Sequence, residues 1–368
     1  MPKKRLRHGF TTGSAAAAGA KAGVLYLGGL GFVRRVEIPL PIGGRLTIPI
    51  STVSTNGKGC SVTVIKDAGD DPDVTHKARI TSMVRLLPEG KDGEIIIKGG
   101  KGVGKVTRPG LPVPAGEWAI NPVPRRQITE AVLEGLNETG VKGAVSVIIE
   151  VTNGERIAKK TLNPRLGIIG GISILGTSGT VIPFSNQAYK DTITMSMDVA
   201  RAAKLSTIAL ATGAKSERFL KEQRPNLPDI SFIQVADFFS LSLREANKRG
   251  FKEILYSCFF GKLVKMAQGY PYTHARRSEI DFNELSDWYM VIGMHRDRAN
   301  RIRKANTARE ALGLISEDNN RDAVIRDIMK KALFSARRFA GSGPEISFYL
   351  FDFEGSLLSN MTDTGVNK

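Results

Sequence analysis

The sequence predicts an α+β N-terminal domain, residues 1–166, followed by an α/β domain with βαβ units, residues 167–368, opened by a Gly-rich junction. Three observations carry that prediction. The chain has 368 residues, more than one ordinary hydrophobic core accommodates. In its second half the loop markers Gly213, Asp237 and Gly261 lie 24 residues apart in each step, the repeat expected of strand-loop-helix units in a parallel sheet. Between the halves runs NPRLGIIGGISILGTSGTVIP, Asn163–Pro183, whose glycines suit a domain junction and close backbone approach to a ligand.

The elements follow in order. Ser14 and the alanines after it open a small-residue helix that a hydroxyl can cap. Val33–Ile38, Leu46–Val53, Ser61–Ile65 and Glu94–Lys98 read as strands. Ile128, Val132 and Leu136 recur at helical spacing, which makes Arg125–Asn137 an amphipathic helix. Ala144–Val151 reads as a strand, and Asn153-Gly154 as a hairpin turn returning through Arg156–Thr161. Beyond the junction come a helix over Gln187–Ala203 and the apolar strands Thr207–Ala211, Phe232–Ala236 and Ile254–Ser257, each running into a loop and a helical pattern. Glu284–Leu314 and Arg321–Phe339 are predicted helical, with Gly341 as a C-cap. Glu345–Phe351 closes as a strand, Gly355 turns it back, and the last residues, MTDTGVNK, read as frayed.

Composition narrows the function. Hydrophobic residues at 41% and charged residues at 24% exclude a disordered chain. No apolar run is long enough to span a bilayer, so no membrane partner is expected. The basic N-terminus leads into alanines, unlike an export signal, and Cys60 and Cys258 stand far apart. Together these predict a cytoplasmic protein with neither a disulfide framework nor a zinc site. The net charge of +17 calls for an anionic partner. Nucleic acid is one such partner, but no DNA- or RNA-reading signature accompanies the charge. A small substrate bearing many carboxylates would be steered by the same field.

In an open parallel sheet, ligands bind beyond the carboxyl ends of the strands. The loops to weigh are therefore Ala211–Glu217, Val235–Phe239 and Phe259–Gly269. They offer Gly213 at a helix start, Asp237 as an acceptor for a ribose or amino group, and Lys262 and Lys265 for an anion. Taken singly, each also reads as architecture: a tight turn, an N-cap and solvated lysines. GGKGVG, Gly99–Gly104, looks like a nucleotide loop but precedes VTRPGLPVP, which cannot start the required helix. It reads instead as a flexible basic loop closing over an acidic ligand. KDAGDDPD, Lys66–Asp73, reads as a capped turn ahead of a cation site. GFTTGS, Gly9–Ser14, reads equally as an anion site or as simple capping. His274, set in YPYTHARR, is a candidate proton carrier or substrate contact.

The blocks GFTTGSAAAAGAKAG, KDAGDDPDVT, GKGVGKVTRPGLPVPAGEWAINPVPR, NPRLGIIGGISILGTSGTVIP, TGAKSE and GKLVKMAQGYPYTHA stand in order from Gly9 to about residue 280. Together they resemble the cobalt-precorrin-5B C1-methyltransferase family of anaerobic cobalamin biosynthesis. The resemblance implies transfer of a methyl group from S-adenosylmethionine to C-1 of cobalt-precorrin-5B, giving cobalt-precorrin-6A, with cobalt present only as part of the substrate. Such a reaction needs methyl carbon and acceptor carbon held in line, roughly 3–3.5 Å apart, with water excluded. On that reading Gly213, Glu217 and Asp237 serve the cofactor. Thr11, Thr12, Arg108, Arg125, Arg126 and Lys262 meet the substrate, with His274 as the proton-carrying or placing group. Three positions depart from the family pattern: Ala15 where many members have Cys, Asp237 where Asn is usual, and Cys258-Phe259 in place of a Gly-His pair. Two other readings stay open at this point, a non-enzymatic carrier of corrinoid precursors and a basic nucleic-acid-binding protein.

Overall fold

The computed structural model describes residues 6–57 and 59–363. The chain forms two compact units, Met1–Asn186 and Gln187–Lys368.

In the first unit, helix α1 (Thr12–Leu25) is buried along its whole length, as a helix of Ala and Gly can be when its small residues let the sheet's side chains reach its backbone. A Cβ at Gly19 would stand 2.7 Å from Ser82 Oγ, and one at Gly23 would stand 2.5 Å from Val84 Cγ2. Small residues therefore let the helix lie directly on the sheet. A hairpin, β1 (Arg35–Pro39) and β2 (Arg45–Pro49), comes next. The sheet is built from β3 (Thr52–Asn56), β4 (Gly59–Ile65), β5 (Arg79–Leu87), β6 (Ile95–Gly99) and β7 (Ala144–Val151), in the order β3-β4-β5-β7-β6. Only the β7/β6 pair is parallel. Helix α2 (Pro122–Thr139) packs its Ile128, Val132 and Leu136 stripe into the same core. Its Glu134 receives Lys21 at 2.8 Å and Arg45 at 2.8 Å. Those cations, Arg45 foremost, hold the Glu134 carboxyl down at about 2.

Several expectations are corrected here. Leu46–Val53 is two strands, because Arg45–Pro49 pairs with Arg35–Pro39 whereas Thr52–Asn56 pairs with residues 59–63. Arg79–Leu87, which its charged and polar residues disguise, is a central strand whose Ile80, Ser82 and Val84 face inward. Asn153-Gly154 makes no hairpin. Asn153 is left-handed at φ 57° and opens a helical turn over Gly154–Ala158, since β7 is already paired on both edges by β5 and β6. The Gly-rich stretch does not open the second unit. Ile168–Ile169, Gly171–Ile172 and Thr180–Val181 pair with Lys105–Val106, Gly102–Val103 and Gly9–Phe10, all of the first unit.

The second unit is a five-stranded sheet with helices on both faces. Helix α3 (Asn186–Ala202) precedes β8 (Thr207–Ala211), α4 (Ala214–Gln223), β9 (Phe232–Gln234), α5 (Phe239–Lys248), β10 (Glu253–Phe259) and α6 (Phe260–Ala267). Helices α7 (Phe282–Gly293), α8 (Arg296–Arg303), α9 (Ala308–Ser316) and α10 (Arg321–Ala340) lead to β11 (Glu345–Phe351) and β12 (Leu357–Asp363). The order is β9-β8-β10-β11-β12, parallel except for β12. Helices α5, α6 and α10 share the larger core, while Phe219 and Leu220 of α4 pack with Phe232, Leu255 and Phe351 in a separate cluster. The single long helix expected over Glu284–Leu314 is three, broken at left-handed Met294 (φ 54°) and recapped by Thr307. Met361–Asp363 is strand rather than frayed end; residues 364–368 lie outside the described residues. Among the described residues no helix is long and apolar enough to cross a membrane.

Candidate active site

Numbered within the unit, the second sheet runs 2-1-3-4-5, so the direction of winding reverses between β8 and β10. The crevice beyond the carboxyl ends of those two strands is where such sheets take ligands. Gly213 stands there, just past β8, as the N-cap of α4. Its backbone is extended, and a Cβ built on it would meet nothing within 4 Å. The glycine is thus not demanded by the fold, and open space adjoins it. One turn on, Glu217 is buried. Gln234 Nε2 donates to it at 2.9 Å, and Lys221 stands 3.2 Å away. Burial and the Glu217 charge push the Tyr189 hydroxyl above its ordinary pKa.

Asp237 follows β9 through a left-handed Ala236, φ 48°, a conformation that a non-glycine residue adopts at a cost. That turn delivers the Asp237 carboxylate to Lys262 of α6, with which it is ion-paired. Thr273 Oγ1 also donates to Asp237 Oδ1 at 3.2 Å, and Lys262 and Lys265 both reach the Thr273 carbonyl, at 3.4 Å and 3.3 Å. Burial and the neighbouring Lys265 ammonium pull the Lys262 amine down to about 8, while its carboxylate partner favours the protonated form. Sequence reasoning put Asp237 with a cofactor and Lys262 with the substrate; the structure pairs them with each other. Next to the pair, Phe238, Tyr272 and His274 form a tier, ring centroids 5.0 Å and 5.9 Å apart, and Tyr189 stacks on Phe238 at 5.6 Å. His274 Nδ1 accepts from the Arg276 amide at 3.1 Å, so the neutral ring carries its proton on Nε2. Tyr189 and Phe238 were not singled out in the sequence; nothing but their place beside β9 marks them.

The first-unit candidates fare differently. Thr11 caps α1 by accepting from Ser14 N at 3.1 Å, and Thr12 Oγ1 accepts from Leu175 N at 2.8 Å. Both threonines are buried, and the Gly13 amide is already spent on the Leu175 carbonyl. The helix start is closed by the Gly-rich segment instead of offering donors to an anion. Arg125 Nη1 donates to the Ile97 carbonyl at 3.0 Å, tying α2 to β6. Arg108 and Arg126 are exposed.

GGKGVG is not a flexible loop. Gly102, at φ 80°, sits where a Cβ would be 2.0 Å from the Val151 carbonyl, and Gly154 and Gly171 press equally closely on Gly102. Gly102 serves backbone packing, while Gly99 and Gly100 make room for the side chains of Trp118 and Glu150. The aspartates of Lys66–Asp73 form a turn, as expected. Asp67 pairs with Arg7, Asp70 accepts from the Arg7 amide at 2.7 Å, Asp71 accepts from the Phe184 amide at 2.8 Å, and Asp73 meets Lys66 at 2.6 Å. Among the described residues no cluster of His, Cys, Asp and Glu could hold a metal ion.

Residues 1–183 match the family model described as CbiD, and residues 272–361 match that of the CbiD C-terminal domain. The cobalt-precorrin-5B C(1)-methyltransferase of Nitratidesulfovibrio vulgaris is 45% identical over 361 residues, 96% of this chain and 92% of that one. Relatives of the same name from Leptospira borgpetersenii and Priestia megaterium are 41% and 39% identical over 358 and 367 residues. They cover 97% and 99% of this chain, and 96% and 99% of their own lengths. A crystal structure of the cobalamin biosynthesis protein (cbiD) from Archaeoglobus fulgidus aligns with a TM-score of 0.39 at 28% identity, over 70% of this chain and 78% of that one. With such relatives along nearly its whole length, the chain belongs to the CbiD family.

Proposed function

We propose that this protein methylates C-1 of cobalt-precorrin-5B, giving cobalt-precorrin-6A, with S-adenosylmethionine as donor. The observation that carries the reading is the 45% identity across 96% of the chain to a methyltransferase of that name. The second unit supports the choice of donor. The residues at its strand-order reversal suit a cofactor: unobstructed space beside Gly213 at a helix start, and a buried Glu217 whose orientation Gln234 and Lys221 fix. Bound there, S-adenosylmethionine supplies a methyl group already activated by its sulfonium charge.

The protein's own task is then placement and exclusion of water, without a nucleophile of its own. That agrees with Cys60 and Cys258 being buried, with thiols that burial pushes upward. Asp237 and Lys262 act as a nearly neutral pair that repels neither a cationic donor nor an anionic acceptor. His274 presents Nε2–H to the substrate. We place the reaction in the cytoplasm.

Calorimetric titration with S-adenosylmethionine tests the proposal. Saturable one-site binding is expected. Absence of binding, with and without the corrinoid, would leave a carrier as the better account.

A further inference from the structure

Three residues of the first unit, the exposed Lys105 and Ile169 and a Trp118 partly buried against the core, stand in one row. Lys105 pairs with Ile169 in an antiparallel ribbon and is bridged on its other side to Trp118. Directly paired residues of antiparallel strands project to the same face, so the row spans two strand spacings, about 10 Å. The indole at one end lies flat because residue 99 is glycine: a Cβ there would stand 2.6 Å from Trp118 Cε3. Lys105 Nζ lies 4.6 Å from the indole centroid, so its ammonium faces an aromatic ring instead of a carboxylate. At the other end Ile169 is 61% exposed, although its neighbour Ile168 is buried and a paired strand offers it that option. Arg108, three residues past Lys105, is exposed as well.

This combination has an uncommon chemistry: an isoleucine left in water, a ring held flat and a lysine ammonium set against that ring, all on a surface three paired segments wide. Folding does not reward the exposure of Ile169. A flat apolar ring carrying acidic side chains at its edge would use all three. We propose that the Trp118–Lys105–Ile169 row is a docking surface for the corrinoid macrocycle, with Ile169 against the ring and Lys105 taking a peripheral carboxylate. The proposal rests on the reading above that the acceptor is a polycarboxylate macrocycle, and it adds a recognition surface to that reading.

The test uses the full chain and a stable porphyrin polycarboxylate, uroporphyrin, as probe. Trp118 and Trp288 are the two tryptophans of the sequence, so Trp288→Phe leaves Trp118 as the one indole. Porphyrin binding is expected to quench its fluorescence saturably. In that background Lys105→Gln and Ile169→Asp, both at exposed positions, are each expected to weaken porphyrin binding roughly fivefold or more with the melting temperature held within about 2 °C. With cobalt-precorrin-5B the same variants raise KM by a similar factor and leave kcat within twofold. Unchanged porphyrin affinity and unchanged KM in both variants, in a protein that does transfer methyl groups, would overturn the docking surface and leave the enzymatic reading intact. Failure of the unaltered protein to methylate would strike that reading instead, and the porphyrin arm would then decide the surface by itself.

Discussion

Replacing Asp237 by Asn separates the charge of the Asp237–Lys262 pair from its shape. The amide keeps an oxygen able to accept from Thr273 Oγ1, now 3.2 Å from Asp237 Oδ1, but removes the carboxylate with which Lys262 is ion-paired. Breaking a fully buried pair by removing one member costs about 3–5 kcal/mol. Here the side chains of Lys262 and Asp237 are 28% and 17% exposed, so solvent takes part of that cost and about 1–3 kcal/mol is expected. For a unit of this size that lowers the melting temperature by roughly 2–4 °C per kcal/mol. The pH dependence carries the sharper signature. Lys262 titrates at about 8 in the folded protein against an ordinary 10.5. Above the folded value the native amine is neutral while the unfolded chain still binds the proton, so stability attributable to this group rises between those values. A neutral amine needs no carboxylate. The deficit of Asp237→Asn should therefore be full at pH 7 and shrink to a fraction by about pH 9.5. Thermal unfolding of both proteins across that range reads it out. An equal deficit at both ends, or none at pH 7, would show that charge is not what joins the loop after β9 to α6.

Other consequences are open to the same methods. Glu134→Gln removes the carboxylate that Arg45 and Lys21 hold at about 2. A depressed carboxyl stabilises above its unfolded pKa and loses that contribution as pH falls, so the variant should lose about 1–3 kcal/mol at pH 7 and almost nothing near pH 2 in acid-titrated melts. Gly102→Ala puts a methyl group 2.0 Å from the Val151 carbonyl at a φ of 80°. More than about 3 kcal/mol of destabilisation is expected in denaturant melts, whereas a small change in stability would return GGKGVG to the status of a loop. Gly213→Ala adds a Cβ that has no neighbour within 4 Å. Its melting temperature should stay within about 3 °C while S-adenosylmethionine affinity, by calorimetry, falls about tenfold or more; retained affinity would move the cofactor away from the end of β8.

The second unit was largely legible in advance because its strands are continuous apolar runs: Thr207–Ala211 and Glu345–Phe351 match the observed bounds. Repeated βα units impose a spacing that survives in the sequence. The first unit hid more. Arg79–Leu87 alternates polar and apolar residues with Ser82 among the inward positions, so its inner face lacks the usual signal, although Ser82 Oγ is satisfied by the Ala16 carbonyl at 2.9 Å. Glycine was the hardest residue to read. At 102, 154 and 171 it marks backbone pressed on backbone, and at 213 it adjoins open space; one residue type carries opposite meanings that only coordinates separate. Asp237 and Lys262 were each recognised as candidates, yet their pairing depends on a left-handed Ala236, and no propensity places such a turn at alanine. The threonines of GFTTGS looked available because the segment that covers them, Ser173–Thr180, lies more than 160 residues further along the chain.

Everything functional proposed for this chain returns to one bond, that between a donated methyl carbon and C-1 of the macrocycle. Anaerobic incubation with cobalt-precorrin-5B and methyl-labelled S-adenosylmethionine, followed by mass and carbon-13 analysis of the corrinoid, tests it directly. The account predicts a product heavier by one labelled methyl group, with the label resolved at C-1. An unmethylated corrinoid, or a label at another carbon, would contradict it.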